Sequence, residues 1–283
     1  MSHTVLSGTA EALFAAGQEN APSYIGLREA VSDALQSLTE ALFPRHFGEG
    51  GEDSPALREA RLTAARAHLL RALSYVMEDG DRAEAVSDAF FGELPAILEV
   101  LKTDILAAYQ GDPAAKSTDE IILSYPAFTA ISTFRLAHAL FALGVPILPR
   151  MMTEEAHEKT GIDIHPGAKI GRYFFIDHGT GVVIGETTTI GEHVTIYQHV
   201  TLGAKNFEVG PDGTLVKGIK RHPDIGNHVV IYAGATILGG RTVIGDHCVI
   251  GGNVWLTHSL AEGETIVTRP ANERKGTPPL PLS

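Results

Sequence analysis

The chain is too poor in cysteine for a disulfide framework or a cysteine-built zinc site, since Cys248 is the only one in 283 residues. It lacks an apolar run of the roughly twenty residues that crossing a bilayer requires, and no basic, hydrophobic signal segment opens it. Neither membrane insertion nor Sec export is therefore expected, and the cytoplasm is the expected compartment. Positive charge is also scarce: 22 Lys+Arg against 34 Asp+Glu give a formal net charge of −12, which argues against nucleic acid as a partner. The acidity is uneven, with 10 Lys+Arg against 20 Asp+Glu in residues 1 to 148 and 12 against 14 in residues 149 to 283. The second half is thus nearly neutral and does not strongly repel an anionic cofactor. Apolar residues are plentiful: a 44% hydrophobic content suffices for two cores.

What dominates the second half is a period of six. Apolar residues stand at Ile164, Ile170 and Ile176, resume at Ile184, Ile190, Ile196 and Leu202, and return at Ile225, Ile231 and Ile237. Eight Ile-Gly or Leu-Gly pairs punctuate the repeat half. Fixed self-similarity marks a solenoid, in which each repeat covers its neighbour's apolar face, and a period of six predicts a parallel β-helix whose coil is eighteen residues on three flat faces. An open sheet would need hairpins or helices between strands, for which six-residue punctuation leaves no room. After Ile237 the anchors slip by one to Ile244, Ile250 and Leu256, which predicts a bulged corner at Leu238-Gly239-Gly240. Cys248, four after Ile244, falls at an inward position and reads as a packed thiol. Two insertions interrupt the coil, one at 177–181 and a longer one at 204–220; insertions in a solenoid emerge on one side, often the binding side.

The first half reads as helical. Leu62, Leu69, Leu70, Leu73 and Val76 share one helical face, as do Leu94, Ile97, Leu98, Leu101, Ile105 and Tyr109. The second of these helices is expected to stop at Gly111, before Asp112-Pro113, and Ser117 with Glu120 reads as a capping box opening another. Pro126 to Leu143 gives one more, ended by Gly144 and Pro146. The expected class is α+β: a loose segment at 1–22, a helical domain at 23–148, a connecting helix at 149–160, a left-handed β-helix at 161–268 and a tail at 269–283. Residues 46–55 also lack strong periodicity and are expected to be loose. Arg135 and His138, three apart on one helical face, read as structural.

Thirteen histidines raise the question of metal, as in hexapeptide-repeat metalloenzymes of the γ-carbonic anhydrase kind. Side chains stack on such a coil when about eighteen residues apart, whereas His193 and His199 differ by six and face different ways, as do His222 and His228. No metal is expected, and His193, His228 and His247 read as exposed corner residues. Asp177-His178 is different, because it interrupts the repeat where glycines let the backbone leave the coil. A histidine so placed accepts a proton near neutral pH when a carboxylate fixes its tautomer. Asp163, fifteen residues earlier and roughly one coil below, is the expected partner. Asp112, Arg221 and His222 complete the constellation.

These residues sit in a longer series of motifs: Asp104-x-x-Ala107 with Gly111-Asp112-Pro113-Ala114-Ala115, Tyr125-Pro126-x-Phe128, Arg135-x-x-His138, Gly161-Ile162-Asp163-Ile164-His165-Pro166, Ile176-Asp177-His178-Gly179-x-Gly181, Val183-Ile184-Gly185-Glu186-Thr187, Tyr197-Gln198-x-Val200-Thr201-Leu202-Gly203 and Arg221-His222-Pro223. With them, from about Asp104 to Gly203 and again from Arg221 to about Leu256, the chain resembles the serine O-acetyltransferases, the hexapeptide-repeat enzymes that begin cysteine synthesis. The resemblance implies acetyl transfer from acetyl-CoA to the hydroxyl of L-serine in a ternary complex. It makes His178 the general base and Asp163 the group that orients it, and it puts Asp112, Asp177, Arg221 and His222 in the amino-acid pocket. CoA is expected along the coil groove between neighbouring subunits, after the turn at Gly203-Ala204, with Lys205, Lys217 and Lys220 placed for its phosphates. A solvated loop, its lysines diluted by Glu208 and Asp212, stays open as the alternative. The family also implies a homotrimer, with helical domains pairing trimers into hexamers, and L-cysteine as feedback inhibitor in the serine pocket.

The chain departs from the family pattern in its long 204–220 loop, in Thr129 where many members have His, and in the loose echo of the usual Gly-Val-Pro-Ala turn at Glu264 to Ala271. It ends Leu280-Pro281-Leu282-Ser283 without the terminal Ile that members insert into cysteine synthase, so a stable complex with that enzyme is not expected. Two other functions remain in view. One keeps the machinery for another acceptor or donor, such as homoserine or succinyl-CoA, since one methylene in a pocket is worth only about 1–3 kcal/mol. The other is a weakly catalytic regulatory scaffold.

Overall fold

The computed structural model describes residues 3–17, 23–49 and 52–268. Seven helices precede fourteen short strands among the described residues. The helices are α1 (His3–Ala16), α2 (Leu27–Leu42), α3 (Pro55–Leu73), α4 (Gly80–Gly111), α5 (Thr118–Ser124), α6 (Pro126–Ala142) and α7 (Leu148–Thr160). Helix starts follow local chemistry: Ser54, Asp79 and Ser117 each accept a backbone N–H of the first turn, and Pro55, Pro126 and Pro149 occupy first-turn positions where no N–H is missed. Glu120 reaches back to the Lys116 N–H, one residue before the cap. Helix α4 ends at Gly111, as the sequence suggested.

Two segments expected to be loose contain local structure among their described residues. Within 1–22, His3–Ala16 is helical, yet every residue from Val5 to Gly17 is exposed, which is why no amphipathic period announced it; residues 18–22 lie outside the described residues. Within 46–55, Arg61 gathers the carbonyls of Glu40, Pro44, Phe47 and Glu49, and Arg58 pairs with Asp53. Side-chain hydrogen bonds, invisible to periodicity, hold that turn. The tail at 269–283 lies outside the described residues.

From Asp163 onward the chain is a left-handed parallel β-helix of three sheets. The first sheet contains β1 (Asp163–Ile164), β4 (Val183–Ile184), β7 (Thr201–Gly203), β10 (Thr236–Leu238) and β13 (Trp255–Leu256). The second is β2 (Lys169–Ile170), β5 (Thr189–Ile190), β8 (Asp224–Ile225) and β11 (Val243–Ile244); the third is β3 (Phe175–Ile176), β6 (Thr195–Ile196), β9 (Val230–Ile231), β12 (Val249–Ile250) and β14 (Thr265–Ile266). The anchors pair as the period requires: Ile184 with Leu202 at the regular eighteen-residue step, and Leu202 with Ile237 across the long insertion. Ile237 pairs with Leu256, one residue beyond a regular coil, which is the slip at the Gly239 corner, where φ is +110°. Apart from the half-buried Ile170, the anchors from Ile164 to Leu256 are buried, as are the residues at the fourth position from Ala168 to Cys248. In the long insertion Val209 and Leu215 form an antiparallel bridge, so the loop folds back on itself.

The helical half is fastened to the coil through one buried ion pair. Asp104 on α4 receives Arg135 Nε and Nη2 from α6, both at 3.1 Å, and also the Phe174 N–H. Arg135 donates onward to the carbonyls of Ile170 and Gly171. His138, one turn along, meets the Pro166 carbonyl at 2.7 Å and so must donate through Nδ1. Both residues are structural, and both tie α6 to the coil.

Candidate functional site

Two clusters of polar side chains flank the first sheet. The first sits where the third sheet hands over to the first. Helix α4 delivers Asp112: a Cβ on Gly111 would lie 2.8 Å from the Phe175 ring, so only glycine lets the helix end come this close to β3. Asp112 Oδ1 accepts the Ala114 N–H at 2.8 Å, and Oδ2 accepts the hydroxyl of Tyr125 at 2.5 Å. Those bonds, the Tyr125 one foremost and helped by the nearby His178, hold its carboxyl below the usual carboxylate range. In return Tyr125 is pushed up to about 12, first by that hydrogen bond and then by burial. Asp177 and His178 follow β3 in the short insertion. His178 takes a left-handed φ of +58°, its side chain is 72% exposed, and its Nδ1 lies 3.8 Å from Asp177 Oδ1. Burial, then Asp177, pushes the Tyr197 hydroxyl up in the coil above, and its ring stacks on Tyr232 at 5.2 Å.

The second cluster sits where the first sheet hands over to the second. Arg221 and His222 return from the long loop onto Thr187, whose Oγ1 accepts both of their backbone N–H groups at 3.0 and 3.1 Å. His222 Nδ1 accepts the Thr187 N–H at 3.1 Å, so it carries no proton and Nε2 is the N–H donor. The Thr187 hydroxyl, having accepted twice, donates to the same Nδ1 at 2.9 Å. Burial, and then Arg221, pushes His222 down to about 4, so the ring is neutral at physiological pH. The Arg221 guanidinium is aimed by Glu186 at 2.6 Å. A Cβ on Gly185 would fall 2.1 Å from the His222 ring, which explains the glycine there. His165 belongs to this corner too; burial lowers its pKa and its Nδ1 accepts the Gly167 N–H.

Asp163 is not beside His178 in the single chain. Its Oδ1 is held at 3.1 Å by Arg150, which also pairs with Glu154. Spacing suggested the pairing with His178; the carboxylate the structure puts nearest the imidazole Nδ1 is Asp177, and Arg150, in the first turn of α7, takes Asp163 instead. Among the described residues, Glu154, His157 and Asp163 have donor atoms close enough to share an ion, but Arg150 already sits against two of them.

On the cofactor side, Lys205, Lys220, Arg221, Arg241 and His258 line a cleft of about 510 Å³ beyond Gly203 and Ala204. Arg241 and His258 carried no motif and were missed. Lys220 is committed to Asp224 at 2.5 Å and to the Thr187 carbonyl, which leaves Lys205 and Arg241 as the freer cations. Elsewhere on the coil Tyr173, His193, His228 and His247 form a stacked column with ring centroids 4.2 to 4.8 Å apart, each at a left-handed corner and the histidines exposed. Cys248 is buried, and its thiol faces the Ala261 carbonyl. No helix among the described residues is long and apolar enough to cross a membrane.

Every group a small zwitterion needs is thus present in two halves. The carboxylates and the exposed imidazole stand at one corner, the arginine and the neutral imidazole donor at the next. No hydrogen bond or ion pair among the described residues joins the halves.

No family model matches the chain. A protein named as a plasmid-borne serine acetyltransferase of Synechococcus elongatus is 48% identical over 259 residues, covering 84% of this chain and 80% of that one. Among solved structures, serine acetyltransferase 1 of Entamoeba histolytica, determined with L-cysteine, superposes with a TM-score of 0.78 at 40% identity, covering 83% of this chain and 86% of that one. Serine acetyltransferase of Neisseria gonorrhoeae in complex with serine gives 0.58 at 28% identity, covering 84% and 96%.

Proposed function

The chain belongs to the serine acetyltransferase family, catalysing acetyl transfer from acetyl-CoA to L-serine as the first step of cysteine biosynthesis, and from that premise we propose how its own residues carry the reaction. His178 is the general base. It takes the proton of the serine hydroxyl as the oxygen attacks the thioester carbonyl, and the imidazolium then returns that proton to the departing CoA sulfur. O-acetyl-L-serine and CoA leave without an acyl-enzyme, which fits a chain whose one thiol is buried. Base help of this kind is typically worth about 10²- to 10⁴-fold.

The amino acid is held by both halves. Asp112 and Asp177 take its ammonium, Arg221 takes its carboxylate through a two-pronged contact, and the His222 Nε2–H adds a neutral donor. The geometry of Asp112, Asp177 and His178 around one corner is the observation that carries this reading. Because the arginine half lies at another corner, the pocket is completed by a neighbouring subunit of a trimer. Asp163 reaches the imidazole only in that assembly, its Oδ2 accepting no hydrogen bond from a side chain among the described residues. Acetyl-CoA lies with its phosphates toward Lys205 and Arg241, and L-cysteine, which shares the zwitterion of serine, competes for the same pocket. Thiol release from acetyl-CoA tests the reading: turnover is expected with L-serine and not with L-homoserine or without acceptor. Silence with L-serine would overturn it.

A further inference from the structure

We infer that Tyr125 is a positioning residue for substrate recognition, its hydroxyl locking the carboxylate of Asp112 in the orientation that meets the ammonium of the amino acid. The inference rests on the proposed role of Asp112. Asp112 caps the end of α4, and its carboxylate stands at the surface, where an unsupported side chain would sample several rotamers. Two bonds remove that freedom. The Ala114 N–H takes Oδ1, and the Tyr125 hydroxyl takes Oδ2 at 2.5 Å from a separate element.

Tyr125 is well placed to impose the position. It stands at the junction of α5 and α6, where its backbone N–H closes onto the Ile121 carbonyl and Pro126 fixes the next turn. Its ring is half-buried and packs against the core. The hydroxyl stays protonated throughout the working pH range, so it always donates. Asp112 is thereby presented ionised, with one lone pair of each oxygen free for a ligand, on the side of His178. Gly111 and the Asp104–Arg135 pair bring the α4 end down on the coil, whereas Tyr125 fixes the carboxylate itself. The motifs that contain Asp112 and Tyr125 do not show that the two side chains meet, since the residues lie thirteen apart on different elements.

A double-mutant cycle tests it. Tyr125→Phe keeps the ring and removes only the hydroxyl; a serine KM raised about 5- to 20-fold is expected, as for a lost hydrogen bond to a charged group that pre-organises a site. Both kcat and the acetyl-CoA KM should stay within about twofold, as should the effect of the same change in an Asp112→Asn background, where there is no carboxylate left to orient. An unchanged serine KM in Tyr125→Phe would overturn the inference, as would an equal penalty in both backgrounds, which marks a merely structural hydroxyl. The cycle separates this from the reading beneath it: if Asp112→Asn alone leaves the serine KM unchanged, the assignment of Asp112 fails first.

Discussion

His222 shows how much a single residue's hydrogen bonding decides. The motif Arg221-His222-Pro223 placed it in the site, but only the bonds from Thr187 show that it is a neutral Nε2–H donor. That state has a cost in acid. An unfolded histidine titrates near 6.5, whereas the folded one is pushed down to about 4. Between those values the unfolded chain binds a proton that the folded chain refuses. Stability is therefore full above about pH 6.5 and falls as pH drops toward about 4, by at most about 1.4 kcal/mol per unit from this group. Urea unfolding at pH 7.5, 6 and 5 should show the wild type losing more stability with acid than His222→Gln. Equal losses would mean that the ring is protonated in the folded protein. The exposed corner position of His178, by contrast, was legible from sequence alone, because an Asp-His pair interrupting a strict period stands out without any knowledge of its neighbours.

At the scale of elements, the coil was readable strand by strand and the helical half only in outline. Inward anchors recur every six residues because each coil must repeat its buried side chains, so pattern and structure are nearly the same statement. Even the slip at Gly239 showed in the spacing. The side-chain contacts that hold the rest leave no such trace: Arg61 on four carbonyls and Tyr125 on Asp112 within the helical half, and Arg150 on Asp163 between that half and the coil, link segments distant in sequence. The Asp104–Arg135 pair is a buried contact of this kind, joining α4 to α6. Burial raises the Asp104 pKa, and Arg135 opposes that in part with charge and hydrogen bonds. Arg135→Met removes one partner and strands a carboxyl whose side chain is 4% exposed. A loss of about 3–5 kcal/mol is expected, read as a lower melting temperature, because an uncompensated buried charge costs far more than a well-made pair contributes. Melting within a degree of wild type would show that the helical half does not depend on this pair.

At the scale of the whole molecule, the separation of the two clusters bears on the assembly proposed for the site. Between them lies the first sheet, whose outward face carries Val183, Thr201, Thr236 and Trp255, the last 71% exposed. In the trimer proposed above this face packs around a threefold axis, and a closed heterologous ring then sets one corner of each subunit against the other corner of the next. The base half of every site would come from one chain and the arginine half from its neighbour. This arrangement makes a quantitative prediction. His178→Ala chains keep a good arginine corner and Arg221→Ala chains keep a good base corner, so each variant alone should be nearly inactive at low serine. Trimers formed from an equal mixture should recover roughly one quarter of wild-type activity, because one interface in four then pairs the two intact corners. Recovery should require exchange of subunits before assay, and separately assembled trimers simply pooled should stay inactive. If subunit exchange restores nothing, both halves of the site belong to the same chain, and the corner-to-corner arrangement is wrong.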